Sequence, residues 1–210
     1  MMNSAIYDYI GTFHNGFASV EVNKKWNFID KQGDLLSDQW FDDCWSFNGG
    51  FAVVILKDKY NFINEKGNII SNQWFDNCWS FHEKVARVKL NKKWNYIDEQ
   101  GNLLSDQWFD YCDNFYEGFA AIELNDRWNF INKQVNLISE RWFDDCFTFH
   151  EGFTAVKLND RWNFIDYHGY LLSDQWVDSC GYFNNGFATV IINGIHKVIS
   201  TKGEIVDEAN

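Results

Sequence analysis

The stretch "KWNFID" at Lys25–Asp30 returns in close copies along the chain, and these copies decide the fold. They read "KWNYID" at Lys93–Asp98, "RWNFIN" at Arg127–Asn132 and "RWNFID" at Arg161–Asp166. A fixed period of 20 to 50 residues is the signature of a repeat architecture. The chain is therefore predicted to consist of copies of one supersecondary unit. The dipeptide Trp-Phe marks the period, because it recurs every 34 residues at Trp40, Trp74, Trp108 and Trp142.

Six units of 34 residues account for nearly all of the 210-residue chain. We predict a single repeat domain over residues 6–209, with units 6–39, 40–73, 74–107, 108–141, 142–175 and 176–209. Three columns keep one residue type in all six units, which supports this register. They are Asp8, Asp42, Asp76, Asp110, Asp144 and Asp178; Phe13, Phe47, Phe81, Phe115, Phe149 and Phe183; and Ile29, Ile63, Ile97, Ile131, Ile165 and Ile199.

Within a unit the hydrophobic period is two, which indicates strands rather than helices. In "FASVEV" at Phe17–Val22, every second residue is a small or branched apolar one, and "FAAIEL" at Phe119–Leu124 repeats the pattern. A polar turn follows, at Asn23–Lys25 in the first unit and Asn125–Asp126 in the fourth, and an aromatic-rich run comes after it. Two β-prone runs around a short Asn-containing loop predict a β-hairpin.

A second turn carries glycine, which predicts a positive φ at that position. Val135 breaks the column, so the fourth unit must bend differently or accept strain. Beyond this turn, "DLLS" and its copies are predicted to form a short third strand, and "WFDDCWSF" either a fourth strand or a tight loop. The glycines of the column are Gly33, Gly67, Gly101, Gly169 and Gly203.

The predicted fold class is all-β, with six 34-residue repeats of short antiparallel strands. An open β-solenoid or hairpin stack is favoured, because an open array needs atypical end units. Deviations from the repeat do collect at the ends: Ile6 stands in the Trp40 column, and His196 in the Trp26 column. A six-bladed β-propeller is the alternative.

The unit resembles the WG-repeat family of bacterial proteins. The resemblance rests on "GFA" followed by an apolar residue, on "KWNFID" where many relatives have Trp-Gly, and on the Gly turn followed by "LLS". It covers residues from about Ile6 to Ile205. One departure is Asn27 and its copies, which stand where the family has Gly. The resemblance implies a binding or structural array and no shared active site.

Composition excludes several partners and compartments. The formal net charge is −12 with a pI near 4.7, and 19% of residues are aromatic. An acidic surface repels nucleic acid and anionic lipid, so neither is an expected partner. The N-terminal "MMNSAIYDYI" lacks the basic start and apolar run of a secretory signal. A cytoplasmic location is therefore expected.

The residues that commonly carry chemistry occur here as repeats. Five equally spaced cysteines, with Ile10 in the sixth slot, indicate small buried apolar groups rather than a metal site or disulfides. The copied Asp residues lack a calcium-loop pattern and are expected to accept backbone N–H bonds in Asx turns. No Ser/His/Asp set or phosphate-binding loop is visible. We therefore expect no enzyme activity, no cofactor and no metal.

Positions at which the copies disagree are the most informative about binding, because the shared architecture does not dictate them. One column reads Gly11, Trp45, Trp79, Asp113, Phe147 and Gly181. Trp45, Trp79 and Phe147, together with the neighbouring Asp43, are the predicted binding residues. The predicted function is a non-enzymatic module that presents an extended surface to another protein. The alternative is a binder of choline-like cations or glycans through its aromatic hairpins.

Overall fold

The computed structural model describes residues 7–207, and within them the chain is all-β, with no helix. It divides into two compact units, residues 1–108 and 109–210, which are described separately below. Each unit contains three antiparallel sheets, and none of them closes into a barrel. The predicted fold class is confirmed as an all-β array of small antiparallel sheets. Whether the array is an open stack or a ring stays a prediction.

Every sheet contains a two-residue strand followed by the two longer strands of a hairpin, and each lies within one 34-residue repeat; the last sheet has a fourth strand in addition. The first unit holds β1 (Tyr9–Ile10), β2 (Ala18–Val22), β3 (Lys25–Ile29), β4 (Asp43–Cys44), β5 (Phe51–Leu56), β6 (Lys59–Asn64), β7 (Asn77–Cys78), β8 (Val85–Leu90) and β9 (Lys93–Asp98). The second holds β10 (Tyr111–Cys112), β11 (Phe119–Leu124), β12 (Arg127–Asn132), β13 (Asp145–Cys146), β14 (Phe153–Leu158), β15 (Arg161–Asp166), β16 (Ser179–Cys180), β17 (Phe187–Ile192), β18 (Ile195–Ser200) and β19 (Ile205–Asp207).

The hairpin turns explain why Asn recurs between the long strands. In the fourth repeat β11 and β12 pair directly, and only Asn125 and Asp126 lie between them. Both have positive φ, 53° and 59°. Two consecutive residues with positive φ define the type I′ turn, whose twist matches that of the strands, and Asn and Asp tolerate this conformation best. The hairpin prediction is confirmed.

Each core cluster combines residues of two consecutive repeats. One cluster joins Val53 and Phe62 of the second repeat to Phe75, Cys78 and Val88 of the third, all buried. A three-stranded sheet this small cannot bury its apolar face alone, so the next copy must cover it. The repeat in the sequence is therefore the unit that completes the core of its neighbour.

A buried asparagine in the second long strand holds the following loop against the sheet. Asn61 is fully buried; its Nδ2 donates to the carbonyl oxygens of Ser71 at 2.8 Å and Gln73 at 3.1 Å. Its Oδ1 accepts from the backbone N–H of Phe62 at 2.8 Å. This is the column in which the resembling family has Gly. The side chain therefore supplies the hydrogen bonds that two loop carbonyls would otherwise lack, and the same pattern recurs at Asn27, Asn95, Asn129 and, to Ser173, at Asn163.

The predicted third strand is wrong for the first five repeats. "NIIS" in the second repeat makes a single bridge, Ile63 with Ile69, and no continuous ladder. The chain leaves the sheet there because Asn61 binds the next carbonyls instead of a strand partner. Only in the last sheet does a further strand, β19, pair with the second long strand of the hairpin. The "WFDDCWSF" stretch resolves into one bridge, Phe41 with Trp26, and the short strand β4.

The repeated Asp column accepts backbone N–H groups as expected, but the partners are distant in sequence rather than part of a local Asx turn. Asp42 Oδ2 accepts from the N–H of Lys57, in the hairpin turn of its own repeat, at 2.6 Å. Its Oδ1 pairs with Lys25 of the preceding repeat. The hydrogen bond from Lys25 is the main reason that the pKa of Asp42 lies below its ordinary value. The local Asx turns are formed by another column, where Asp30 Oδ1 accepts from Gln32 and Asp34.

The five cysteines are free thiols, and the expectation that they act as apolar core groups is confirmed for two of them. Cys78 and Cys112 have no exposed surface, whereas Cys44, Cys146 and Cys180 are partly buried. Burial raises the pKa of Cys44, Cys78 and Cys180 to about 12. The thiols are therefore protonated and unreactive at neutral pH, as structural cysteines are.

Val135 adopts the conformation of the glycines it replaces. Its φ is 61°, against 78° at Gly67 and 82° at Gly101. A β-branched residue in this region is strained, because its Cβ crowds the following carbonyl oxygen. The fourth repeat therefore keeps the common turn and accepts the strain.

Replacing Val135 by Gly is expected to stabilise the protein by about 1 kcal/mol, after allowing for the greater entropy of Gly in the unfolded chain. For a chain of this size that corresponds to an increase in Tm of about 2–4 °C, measurable by differential scanning calorimetry. Gln134→Gly is the control, since Gln134 lies in the same turn without positive φ. It should lower the Tm slightly. An unchanged or lower Tm in Val135→Gly would show that the turn is not strained.

Candidate binding face

Three positions that vary between repeats, together with the mostly aromatic position of Trp128, lie on one face of each sheet. In the fourth sheet Tyr111 lies opposite Glu123, and Glu123 opposite Trp128, so the three side chains share one face. Asp113 follows on the same side, because its N–H bonds the carbonyl of Ala121. The opposite face carries residues that the repeats share, such as Cys112 and its copies. We call the four columns of Tyr111, Asp113, Glu123 and Trp128 the variable patch of each sheet.

The variable patches differ in chemistry from sheet to sheet. In the sheet containing β1 the four columns read Tyr9, Gly11, Glu21 and Trp26, and in that containing β4 they read Asp43, Trp45, Ile55 and Tyr60. In the sheets containing β7 and β13 they read Asn77, Trp79, Lys89 and Trp94, and Asp145, Phe147, Lys157 and Trp162. The sheet containing β16 has Ser179, Gly181, Ile191 and His196.

All four residues predicted from the sequence occupy variable patches. In the first unit Trp45 and Trp79 are 36% and 49% exposed, which is high for the largest apolar side chain. Both backbones are fixed, since Trp45 N donates to the carbonyl of Val53 and Trp79 N to that of Arg87. The indole rings are therefore presented by rigid strands.

A cluster of cations and rings surrounds Trp79. The guanidinium of Arg87 lies 5.3 Å from the ring of Trp79 and 5.6 Å from that of Trp94. The ammonium of Lys89 lies 5.0 Å from the ring of Trp94. These distances are within the range of cation–π attraction. The third sheet thus supplies its own cations to its aromatic rings.

The acidic residues near Trp45 and Trp79 in the sequence, which include the predicted binding residue Asp43, are engaged in the fold. Asp43 Oδ1 accepts from the N–H of Cys44 at 2.8 Å, which holds the start of its strand. Asp42 pairs with Lys25, and Asp76 pairs with Lys59. The charges of Asp42 and Asp76 are therefore partly compensated by lysines of this chain, which weakens the case for a cation site at that place.

In the second unit, Phe147 is half-buried and takes part in ring packing. Its ring lies 4.8 Å from that of Trp162 and 4.9 Å from that of Tyr182, on which it stacks. The hydroxyl of Thr154 donates to the Phe147 carbonyl at 2.7 Å. Phe147 therefore covers the tryptophan of its own sheet, as a core-edge residue does.

The fourth sheet holds a recess that sequence reasoning missed. It has a volume of about 320 Å³. The rings of Tyr111 and Trp128 lie 5.7 Å apart and nearly edge to face. Comparison of the repeats could have indicated it, since Tyr111 stands where four of the other repeats have Asp, Asn or Ser, and Asp113 where three of them have Trp or Phe. The lining residues are Tyr111, Asp113, Ala121, Trp128, Cys146, Phe147, Thr148 and Tyr182.

Several carboxylates lie close to this recess. Burial, and then the charges of Asp126 and Asp110, raise the pKa of Glu123 above its ordinary value. Burial also raises the pKa of Cys146, with added contributions from nearby carboxylates that include Asp113. The effect on both groups indicates a negative potential on this side of the sheet.

A second aromatic cluster was also missed. Tyr167 stacks on Phe119 at 4.9 Å and on Phe149 at 5.3 Å, and its hydroxyl donates to Glu117 Oε2 at 2.8 Å. The Glu117 carboxylate also accepts from the N–H groups of Glu151 and Gly152, both at 3.1 Å. The signal was the turn "DYHGY", which replaces polar turns such as "DKQGD". Because its polar atoms are paired across repeats, the cluster links the fourth and fifth repeats.

These observations define an all-β repeat protein in which several of the side chains that differ between repeats lie on one face of each sheet. The sequence profile of the family described as "WG containing repeat" matches residues 4–26, 28–60, 62–94, 96–128 and 130–162. The chain belongs to this family. No curated protein matches the chain in sequence.

Solved structures show similarity at low identity. Hsv2p of Kluyveromyces lactis is 10% identical, with a TM-score of 0.43, over 92% of this chain and 75% of that one. A eukaryotic initiation factor is 9% identical, with a TM-score of 0.47, over 94% of this chain and 63% of that one. The CNH domain of AfRom2 is 5% identical, with a TM-score of 0.39, over 97% and 84%. With TM-scores under 0.5, these similarities carry no argument about function.

Residues 7–207 hold neither a ready metal site nor a membrane-spanning helix. Within that range, no three His, Cys, Asp or Glu side chains are grouped so that they could hold a metal ion. The same residues include no helix with the length and apolarity needed to cross a membrane.

Proposed function

We propose that the protein is a non-enzymatic module that binds another protein through its variable patches. The observation that carries this is the separation of roles within each sheet. Shared residues build the core and the links between repeats, while Trp45 and Trp79 differ from the residues at this position in the other four repeats and remain exposed on rigid strands. Large aromatic side chains held in this way are the typical anchors of protein interfaces.

The absence of catalytic chemistry is part of the proposal. The carboxylates and thiols repeat from unit to unit, and those with defined partners serve the fold. Asp42 fixes a hairpin turn, and Cys78 fills the core. A catalytic site requires unlike groups converging on one cleft. The acidic surface favours a protein partner over nucleic acid or a membrane, and a cytoplasmic location is proposed with it.

A comparative pull-down tests the proposal. The full chain, carrying an affinity tag, is exposed to lysate of the source cells, and the captured proteins are compared with those captured by a Trp45→Ala/Trp79→Ala variant. We expect the specific partner to be lost, because truncating a central aromatic anchor typically costs 2 kcal/mol or more of binding free energy, about 30-fold in affinity.

The control is Leu35→Ala/Leu103→Ala, which removes exposed apolar surface outside the variable patches. Leu35 and Leu103 are 47% and 38% exposed. This variant should retain the partner, and circular dichroism melting must show that both variants are folded. Capture of the same partners by wild type and both variants would contradict the proposal.

A further inference from the structure

The fourth sheet differs from its neighbours in the charge of the residue opposite its tryptophan. In the third and fifth sheets a lysine, Lys89 or Lys157, lies directly opposite the tryptophan of the patch. In the fourth sheet the residue opposite Trp128 is Glu123. A carboxylate therefore stands where two other repeats carry an ammonium group, next to the ring that an ammonium would cover.

The space above Trp128 is also open. In the fifth sheet, Phe147 packs on Trp162 with 4.8 Å between ring centroids. The corresponding residue of the fourth sheet is Asp113, which is shorter and leaves a recess bounded by four aromatic side chains. Two of them, Phe147 and Tyr182, come from the following repeats. The result is a partly enclosed site with rings on several sides and a carboxylate in its wall.

The second unit, which contains the recess, is more negatively charged than the first. The second unit contains 16 Asp and Glu against 7 Lys and Arg, whereas the first contains 14 against 11. The recess thus lies in the more negative part of the chain, beside Glu123 and Asp145, which both act on Cys146. A cation approaching the recess is attracted by the field of the whole unit as well as by the rings.

We propose that this recess binds a quaternary ammonium group, such as that of choline or of a trimethylated lysine. Aromatic rings and carboxylates attract such a cation, and its methyl groups fill the apolar part of the recess. A bare ammonium is held less well, because it is strongly hydrated and the rings cannot replace its hydrogen bonds with water. This site contains neither Trp45 nor Trp79, so its test does not depend on the variant that tests the protein-binding proposal.

Calorimetric titration of the full chain with choline chloride tests the site. We expect saturable binding with one site per chain. The neutral isostere 3,3-dimethylbutan-1-ol has the same shape without the charge, and it should bind about 10-fold more weakly if cation–π and carboxylate attraction hold the ligand. Equal binding of the two compounds would overturn the assignment of a cation site.

Three variants locate the binding. Asp113→Phe places in the recess the ring that the fifth sheet already accommodates over Trp162, and it should abolish choline binding while the fold is kept. Tyr182→Leu should weaken binding about 10-fold, and Glu123→Gln about 5-fold, as expected for the loss of a ring and of a charge. Retention of full affinity in folded Asp113→Phe would overturn the proposal.

A matched control comes from the first sheet, where Tyr9, Glu21 and Trp26 occupy the positions of Tyr111, Glu123 and Trp128. The rings of Tyr9 and Trp26 lie 5.6 Å apart. That sheet has Gly11 in place of Asp113. Tyr9→Leu should leave choline binding unchanged. Loss of binding in Tyr9→Leu but not in Tyr182→Leu would place the site elsewhere and contradict the inference.

A second titration distinguishes the two sources of the group. A peptide containing one trimethyllysine is compared with the same peptide containing unmodified lysine and with free choline. Tighter binding of the methylated peptide than of choline identifies a protein ligand, and the reverse identifies a small molecule. If neither choline nor the trimethyllysine peptide binds measurably, the proposed site is refuted.

Discussion

Replacing Asn61 by Asp should lower the free energy of unfolding by about 3–5 kcal/mol and the Tm by about 10 °C or more. The side chains have the same size, but Asp has no donor for the carbonyl oxygens of Ser71 and Gln73, which Asn61 Nδ2 bonds at 2.8 and 3.1 Å. A carboxylate at this fully buried position would face two acceptors. Urea unfolding followed by circular dichroism measures the loss.

The control for this change is Asn64→Asp. Asn64 is in the same strand, and its Oδ1 accepts from the N–H groups of Lys66 and Asn68 in the following turn, both at 3.0 Å. An Asp carboxylate accepts these bonds equally well, as Asp30 and Asp98 do in other repeats. Asn64→Asp should therefore change the stability by less than about 0.5 kcal/mol. Equal stabilities for the two variants would show that the Asn61 hydrogen bonds contribute little.

Gly101→Ala is expected to destabilise the first unit by at least about 3 kcal/mol, because it combines a positive φ with a backbone clash. The φ of Gly101 is 82°. A Cβ there would lie 2.0 Å from the carbonyl oxygen and 2.5 Å from the carbonyl carbon of Ile70, in the preceding repeat. Since backbone cannot move aside as a flexible side chain does, the two repeats would have to separate. Thermal unfolding followed by tryptophan fluorescence measures the effect.

Gly33→Ala separates the cost of the positive φ from the cost of the backbone clash. Gly33 occupies the same turn position with a φ of 92°, but no described atom lies within 4 Å of its Cβ position. This variant should cost only the conformational strain, about 1 kcal/mol. If Gly101→Ala proves no more destabilising than Gly33→Ala, the close approach between repeats is not a significant constraint.

Much of the fold was predictable because its causes are local. The alternation in Phe119–Leu124 and the Asn125–Asp126 turn depend on a few neighbouring residues, and both predictions are confirmed. The positive φ of the glycine turn was also predictable, whereas its approach to the preceding repeat was not. The predicted third strand failed because a side chain, Asn61, competes with the backbone for the loop carbonyls, and strand propensity does not report such competition.

The candidate site was predictable only in part. Comparing copies identified Trp45, Trp79 and Phe147 as residues that the architecture does not require, and the structure places them in variable patches. It also shows that Phe147 packs on its own tryptophan, and that Asp43 is bonded to its own strand. Whether a varying residue is exposed or packed depends on the residues of the following repeat that contact it. Aligning the repeats of the sequence does not show those contacts.

The sequence by itself determined the repeat, the hairpins and their turns, since hydrophobic alternation and backbone preference act over a few residues. Only the tertiary structure decided where unlike side chains meet. Tyr111, Phe147 and Tyr182 belong to three successive repeats, and they enclose one recess because each sheet must cover the apolar face of its neighbour. These residues lie one or two repeats apart in the sequence, and they become neighbours only because consecutive repeats pack against each other.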